Sequence, residues 1–385
     1  MILTLAAPAR GRASTPNTLS PREVAQGWIL LFDGESDFGW VPRGDSRWQV
    51  ADGCLTPVPG TGGGWLCTRS EFADFELRAE FWVDAEVNSG VFLRCPTSGS
   101  IPTTQAYEVN IYDAHEKWPT GSINDVGRCR RTTRTVGRWN TYEIHAEGPD
   151  LRVRLNGRTV LEARDTRAAR GVIGLQTLTG RGVVKFRNLK LRPLGTRSLF
   201  NGRNLDGWQV IPGHKSVFSV TREGWLQVKD GNGDLQSTAQ FGDFVLQLDV
   251  RSNGDHLNSG IFFRAIPGKF WQGYESQIRN QWEGGDRTRP VDYGTGGIYR
   301  RQPARKVVSS DREWFTKTVV ASGRQLAVWV NGHPVSSWTD DRPPHENPRE
   351  GYRSAPGAVS IQGHDPTTDL VFRNLRAAEY PASRD

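Results

Sequence analysis

Asn88-Ser89-Gly90-Val91-Phe92-Leu93-Arg94 and Asn258-Ser259-Gly260-Ile261-Phe262-Phe263-Arg264 are one strand written twice, 170 positions apart (258 − 88). Around them the chain keeps repeating itself in order. Leu31-Phe32-Asp33-Gly34 with Trp40 returns as Leu199-Phe200-Asn201-Gly202 with Trp208. Tyr107-Glu108 pairs with Tyr274-Glu275, Trp139 with Trp314, and Leu155-Asn156-Gly157 with Val330-Asn331-Gly332. Each copy closes alike, at Phe186-Arg187-Asn188-Leu189 and Phe372-Arg373-Asn374-Leu375. A period this long means two whole domains rather than a solenoid. The reading divides the chain into an N-terminal segment (1–26), a first domain (27–194) and a second (195–385).

Within the copies the pattern is almost wholly β. Phe75-Glu76-Leu77-Arg78-Ala79-Glu80-Phe81 and Phe244-Val245-Leu246-Gln247-Leu248-Asp249-Val250 alternate with period two. Asn156-Gly157 and Asn331-Gly332 are hairpin-turn pairs. Short strands with regular turn signals predict two tandem all-β antiparallel sandwiches of jelly-roll type. One short helix is expected ahead of them, where Ser20-Pro21-Arg22-Glu23 offers an N-cap, a first-turn proline and a capping-box glutamate.

Composition narrows the function. The 385 residues carry a net charge of +7, but the arginines are interspersed with acids and no nucleic-acid-binding motif accompanies them. Nucleic-acid binding is therefore not expected. No run of about 18 apolar residues exists, so no membrane span is expected either. The apolar start, Met1 to Ala9, reads as the remnant of an export signal and predicts a periplasmic or extracellular protein. All four cysteines lie in the first copy without CxxC spacing, which argues against structural zinc. A Cys54–Cys67 bridge between neighbouring strands fits an oxidising compartment.

Strand alternation places Asn88, Gly90, Phe92 and Arg94 on one face, and Asn258, Gly260, Phe262 and Arg264 on its counterpart. Glu108 and Asn110 oppose the apolar Tyr107, Val109 and Ile111. Copy two puts Glu275, Gln277 and Arg279 in those positions, and Ser360, Gln362 and His364 follow on another strand. Amides, a guanidinium, a carboxylate and an aromatic ring suit a sugar, although a solvent-facing sheet is also polar. Asp113-Ala114-His115-Glu116 has side chains for acid–base work or a divalent cation. The offset between copies grows from 167 at Tyr107/Tyr274 to 186 at Phe186/Phe372, so copy two has longer loops around Gln281–Tyr293 and Asp340–Ala355.

The ordered set Leu31-Phe32-Asp33-Gly34, Asn88–Arg94, Tyr107–Asp113, Thr120–Asp125, Trp139–Ile144, Leu155–Gly157, Ile173–Gln176 and Phe186–Leu189 resembles the 3-keto-disaccharide hydrolase domain family. The resemblance covers nearly the whole chain, twice. It implies a concanavalin A-like, laminarinase-type sandwich and the cleavage of glycosides oxidised at C3, by hydrolysis or by β-elimination and hydration. A 3-keto group acidifies the C2 proton, so one base and one oxyanion stabiliser, a guanidinium or a divalent metal, suffice. On this resemblance Glu275 or His364 is the base in copy two, Arg264 the electrophile, and Asn258, Gln277 and Phe262 bind substrate. In copy one Glu108 or His115 is the base and Arg94 the electrophile, with Asn88, Asn110, Asp113 and Phe92 around the ligand.

Each copy departs from the family's Tyr-Glu-x-Gln-x-x-Asp pattern. Copy one has Asn110 for the Gln and Leu178 in place of a His; copy two has Asn280 for the Asp. The alternative is a non-catalytic carbohydrate-binding or interaction protein on the same fold.

Overall fold

The computed structural model describes residues 15–178 and 182–382. The Met1–Ala9 stretch read as an export remnant lies outside the described residues. The expected helix forms at Pro21–Ala25, with Ser20 as N-cap and a reciprocal capping box to Glu23. Everything else of regular structure is strand.

Each domain is a sandwich of one eight-stranded and one five-stranded antiparallel sheet, and the strand order is the same in both. In the first, the smaller sheet runs Trp40–Gly44, Gly64–Thr68, Val172–Thr177, Ser89–Cys95, Tyr107–Ile111. In the second it runs Trp208–Val210, Gly233–Phe241, Gly357–Gly363, Ser259–Ala265, Tyr274–Ile278. Alternation fixes what each sheet buries. Val91, Leu93, Tyr107, Val109, Ile173 and Leu175 point between the sheets into the first core. Ile261, Phe263, Tyr274, Ile278, Val359 and Ile361 do so in the second. The hairpins close as read, with Asn156 and Gly157 at φ +51° and +79°, and Asn331 and Gly332 at +49° and +74°. Two successive positive φ values are what a tight turn between right-twisted strands requires.

The alternation that sets these faces breaks at one place in each domain. Arg94 and Arg264 adopt left-handed backbone, φ +52° and +45°, and the ladder to the neighbouring strand slips there. A residue in that conformation does not continue the pleat, so neither guanidinium joins Phe92 or Phe262 on the outward face. Both are fully buried. Arg94 donates to the carbonyls of Ala73 (2.8 Å), Gly148 (2.7 Å) and Ala168 (3.1 Å), and pairs with Asp74 at 2.9 Å. Arg264 donates to Gly242 (2.8 Å), Gly323 (2.8 Å) and Arg353 (3.0 Å), and pairs with Asp243 at 2.8 Å. The expected shared face is thus corrected for both arginines: they tie loops together.

Cys54 and Cys67 are also corrected. They lie on different sheets, and all four cysteines are buried free thiols.

The domains share a core. Val245, Val320, Ala327 and Trp329 project from the side of the second domain's larger sheet that faces away from its own core, and they join the first domain's cluster. Trp329 donates its indole N–H to the Leu30 carbonyl (2.8 Å), and the amide of Leu30 donates to the Gly332 carbonyl (2.8 Å). Arg170 of the first domain grips Asp243 of the second at 2.6 Å, and Arg305 returns the contact to Asp33.

Removing the Arg264 guanidinium leaves three buried carbonyls without their donor and takes one of two cations from Asp243, which keeps Arg170. Arg264→Met is therefore expected to cost about 3–5 kcal/mol of stability, read as a lowered urea midpoint. A midpoint equal to wild type would show that the corner does not hold the domain.

Candidate functional site

The outward face of the second domain's smaller sheet gathers most of the expected polar side chains. Phe262 pairs across the ladder with Glu275 and with Ser360, Gly260 with Gln277, and Asp234 with Gln362. Gly260 is required here, because a Cβ at that position would come within 2.5 Å of the Glu275 carboxylate. The two long loops of copy two roof this face. From the later one Arg349 reaches in, donating from Nη2 to Glu275 (2.7 Å) and from Nε to the Trp271 carbonyl (3.2 Å). Its guanidinium lies 5.1 Å from the Phe262 ring and 5.4 Å from that of Tyr299. From the earlier loop Asp292 accepts from Asn258 Nδ2 (3.0 Å) and Gln277 Nε2 (2.9 Å). Both amides are thereby oriented nitrogen-out.

Their oxygens are left over. Asn258 Oδ1, Gln277 Oε1, Gln362 Oε1, Asp234 Oδ1 and the Trp271 indole nitrogen are buried without a hydrogen-bond partner. An unmet buried polar atom costs about 1–3 kcal/mol, and five of them lie on this one face.

Charge is poised on the same face. Burial raises the Glu275 carboxyl, opposed by Arg349 and by the His364 imidazole. Burial also pushes Asp234 up to about 7. His364 stacks on Trp271, with ring centres 5.6 Å apart and planes 13° apart, and its Nδ1 lies 2.9 Å from Asp365. Among the described residues no hydrogen bond engages its Nε2. Beneath the sheet, Lys317 is fully buried and donates to the Ser276 and Gln277 carbonyls (2.9 and 2.8 Å). Burial brings its amine down to about 7.

The first domain assembles less. Glu108 sits beside Gly90 and Phe92, accepts from Asn124 Nδ2 (2.7 Å), and is pushed by burial up to about 7. Asn110 is buried on the same face, and Asn88 lies half-buried just before its strand. Asp113 faces its own loops: Thr120 (2.6 Å) and the Thr135 hydroxyl (2.7 Å) and amide (2.7 Å) occupy its oxygens. His115 is tied into its own turn by the amides of Lys117 and Trp118 (3.3 and 3.1 Å). Phe92 is buried against Trp65 rather than open to a ligand, and Phe262 is likewise buried.

Of the expected residues, then, the structure brings together Glu275, Gln277, Asn258, Phe262 and His364, and separates Arg264, Arg94, Asp113 and His115 from them. Sequence reasoning missed Arg349, Asp292, Asp234 and Trp271. Two of these lie in the insertions that the drifting offset exposes. Among the described residues no three His, Cys, Asp or Glu side chains converge as a metal seat.

The chain is thus a duplicated β-sandwich whose second copy carries a roofed polar face. The chain belongs to the 3-keto-alpha-glucoside-1,2-lyase-like domain family, matching it twice, over residues 27–192 and 195–378. It is 36% identical over 93 residues to the 3-keto-disaccharide hydrolase of Bacteroides thetaiotaomicron, which covers 21% of this chain and 32% of that relative. The chain therefore spans about a third of the curated relative it matches. Among solved structures it is similar to a Parabacteroides distasonis protein assigned to the glycosyl hydrolases, with 21% identity and a TM-score of 0.42 over 47% of this chain and all of that one. It is also similar to a carbohydrate-binding module from Bacillus subtilis, with 17% identity and a TM-score of 0.33 over 40% of this chain and 94% of that one.

The Glu108 carboxyl, displaced from 4.5 to about 7, makes a pH prediction with a definite sign. Between those values the folded protein holds a proton that the unfolded chain has released, so stability is lost as pH rises through the window. In Glu108→Gln that loss disappears. Unfolding measured at pH 4 and pH 8 should show the variant gaining on the order of 2–3 kcal/mol relative to wild type across the interval. An unchanged difference at the two pH values would contradict the buried-carboxyl assignment.

Proposed function

We propose that this chain cleaves 3-keto-glycosides on the second domain's roofed face. The buried Glu275–Arg349 pair, set among amide oxygens with no partner, carries this reading. Glu275 takes the C2 proton, which the neighbouring ketone acidifies. As it does so, negative charge leaves the carboxylate and appears on the C3 oxygen. Arg349 lies against Glu275 and has Nη1 unengaged among the described residues, so one cation serves the charge at both ends of the transfer. The enolate then expels the C1 substituent with its bonding electrons. His364, held by Asp365, gives a proton to the departing oxygen from Nε2. The same imidazole takes a proton from the water that adds across the new C1=C2 bond, and Glu275 returns its proton to C2. The sum is hydrolysis; release before hydration makes the same site a lyase.

Asn258 and Gln277, oriented by Asp292, accept from ring hydroxyls, while Trp271 offers a donor. Export, read from the N-terminus, belongs to the same proposal, since a periplasmic or extracellular protein meets such glycosides directly.

The test is release of the alcohol from a 3-keto-glucoside, followed with the full chain. Wild type turns over, with or without EDTA. Glu275→Gln, Arg349→Met and His364→Ala each lose roughly 10²–10⁴-fold in rate, with cooperative unfolding retained. Wild type inert on 3-keto-glucosides, or full activity in all three variants, would overturn the proposal.

A further inference from the structure

The two domains share a scaffold but not the polar face built on it. Matching register shows the exchange. Trp65 pairs with Gln176 where Asp234 pairs with Gln362, so a tryptophan replaces a carboxylate. Cys67 stands for Gln236, Gly174 for Ser360 and Leu178 for His364. No counterpart of Arg349 exists, because its loop is an insertion. The floor of the first face is consequently apolar, with Phe92, Cys67, Val172, Val41 and Trp65 in one cluster.

Yet this face has not become an inert surface. Asn110 Oδ1, Asn124 Oδ1, Gln176 Oε1 and the Trp65 indole nitrogen are all buried and without a hydrogen-bond partner. Asn110 and Gln176 are 1% and 7% exposed. Two of the amides have fixed orientation. Asn110 donates through Nδ2 to the Trp118 carbonyl, and Asn124 donates through Nδ2 to Glu108. Their oxygens are therefore turned away from those partners. With Glu108 they make an acceptor-rich set around one indole donor, and among the described residues no cation pairs with that carboxylate. A decayed site under no constraint has no reason to keep unmet acceptors buried at about 1–3 kcal/mol each.

We propose that the first domain is a second carbohydrate site, a binding site for the unoxidised glycoside. The argument is one of donors and acceptors. A ring hydroxyl at C3 donates; a ketone at C3 only accepts. The acceptor-lined face of the first domain satisfies the hydroxyl and opposes the ketone, whereas Arg349 gives the second domain a donor for the ketone. Trp65 supplies one hydrogen-bond donor, and its partly exposed ring gives an apolar ground for the C–H face of a pyranose. The inference rests on the carbohydrate reading of the fold but not on catalysis in the second domain.

The experiment titrates the full chain with methyl α-D-glucopyranoside and follows the tryptophan indole N–H resonances by NMR. The Trp65 signal is identified by its loss in Trp65→Phe. It is expected to shift saturably in wild type and equally in Glu275→Gln, which spares the first domain. Gln176→Leu, read at the Trp65 signal, and Trp65→Phe, read by titration calorimetry against wild type, each checked for cooperative unfolding, should weaken binding at least about fivefold, the cost of one unmet hydrogen bond. In the Glu275→Gln background, methyl 3-keto-α-D-glucopyranoside should displace the Trp65 signal at least about fivefold less readily than the unoxidised sugar. An unmoved Trp65 signal, equal response to the two sugars, or binding lost in Glu275→Gln and kept in Trp65→Phe would each overturn the proposal. Failure of 3-keto-glucoside turnover with the Trp65 response intact would count against the catalytic reading alone.

Discussion

Each domain is held at one corner by a guanidinium with no access to water. Arg94 and Arg264 leave their strands in left-handed backbone, a conformation that costs a bulky residue about 1–3 kcal/mol. Four hydrogen bonds from each charged group outweigh that cost. The paired carboxylates do more than neutralise. Asp74 also accepts from the Gly148 amide and Asp243 from the Gly323 amide, both at 2.9 Å, so the strand end, the hairpin and the returning loop are fixed relative to one another. Asp243 is gripped from the other domain by Arg170 as well. The corner of the second sandwich is thus part of the joint between the two.

That joint explains why part of the second domain's larger sheet is apolar on both sides. Its strand Phe244–Ser252 faces its own core with Phe244, Leu246, Leu248 and Val250, and faces the first domain with Val245. An antiparallel sheet with one solvated face would not show this. The domains bury the surface between the larger sheet of one and the flank of the other, which leaves the outward faces of both smaller sheets outside the joint.

With the frame fixed, side chains on those two faces diverge at little cost to folding. The exchange reaches beneath the sheet. Tyr142 donates to the Asn110 carbonyl at 2.6 Å, and at the equivalent place Lys317 donates to the Gln277 carbonyl at 2.8 Å. One bond is conserved in geometry while the donor changes from a neutral phenol to an amine close enough to act on Glu275. Divergence of this kind gives a duplicated scaffold two different polar faces.

Local rules carried the reading of the sequence a long way. Period-two alternation assigned the core faces, Asn-Gly pairs placed the hairpins, Ser20 and Glu23 placed the helix, and the repeat itself announced two sandwiches. Glu275, Gln277 and His364 share a face for the same reason: their spacing along regular strands is enough to put them there. Alternation failed where the backbone ceased to be regular. Nothing in Asn258–Arg264 as a string of letters distinguishes an arginine that continues the pleat from one that bulges out of it. That is settled by which carbonyls wait beyond the strand end. Arg349, Asp292 and Trp271 were out of reach for a related reason: they sit on loops, and a loop's destination depends on the surfaces that cover it. The sequence by itself determined the sandwiches, their duplication and the polar strand faces, because those follow from neighbours along the chain. Only the tertiary structure decided which arginine meets Glu275, because that pairing joins positions 74 residues apart through a roof that no periodicity encodes.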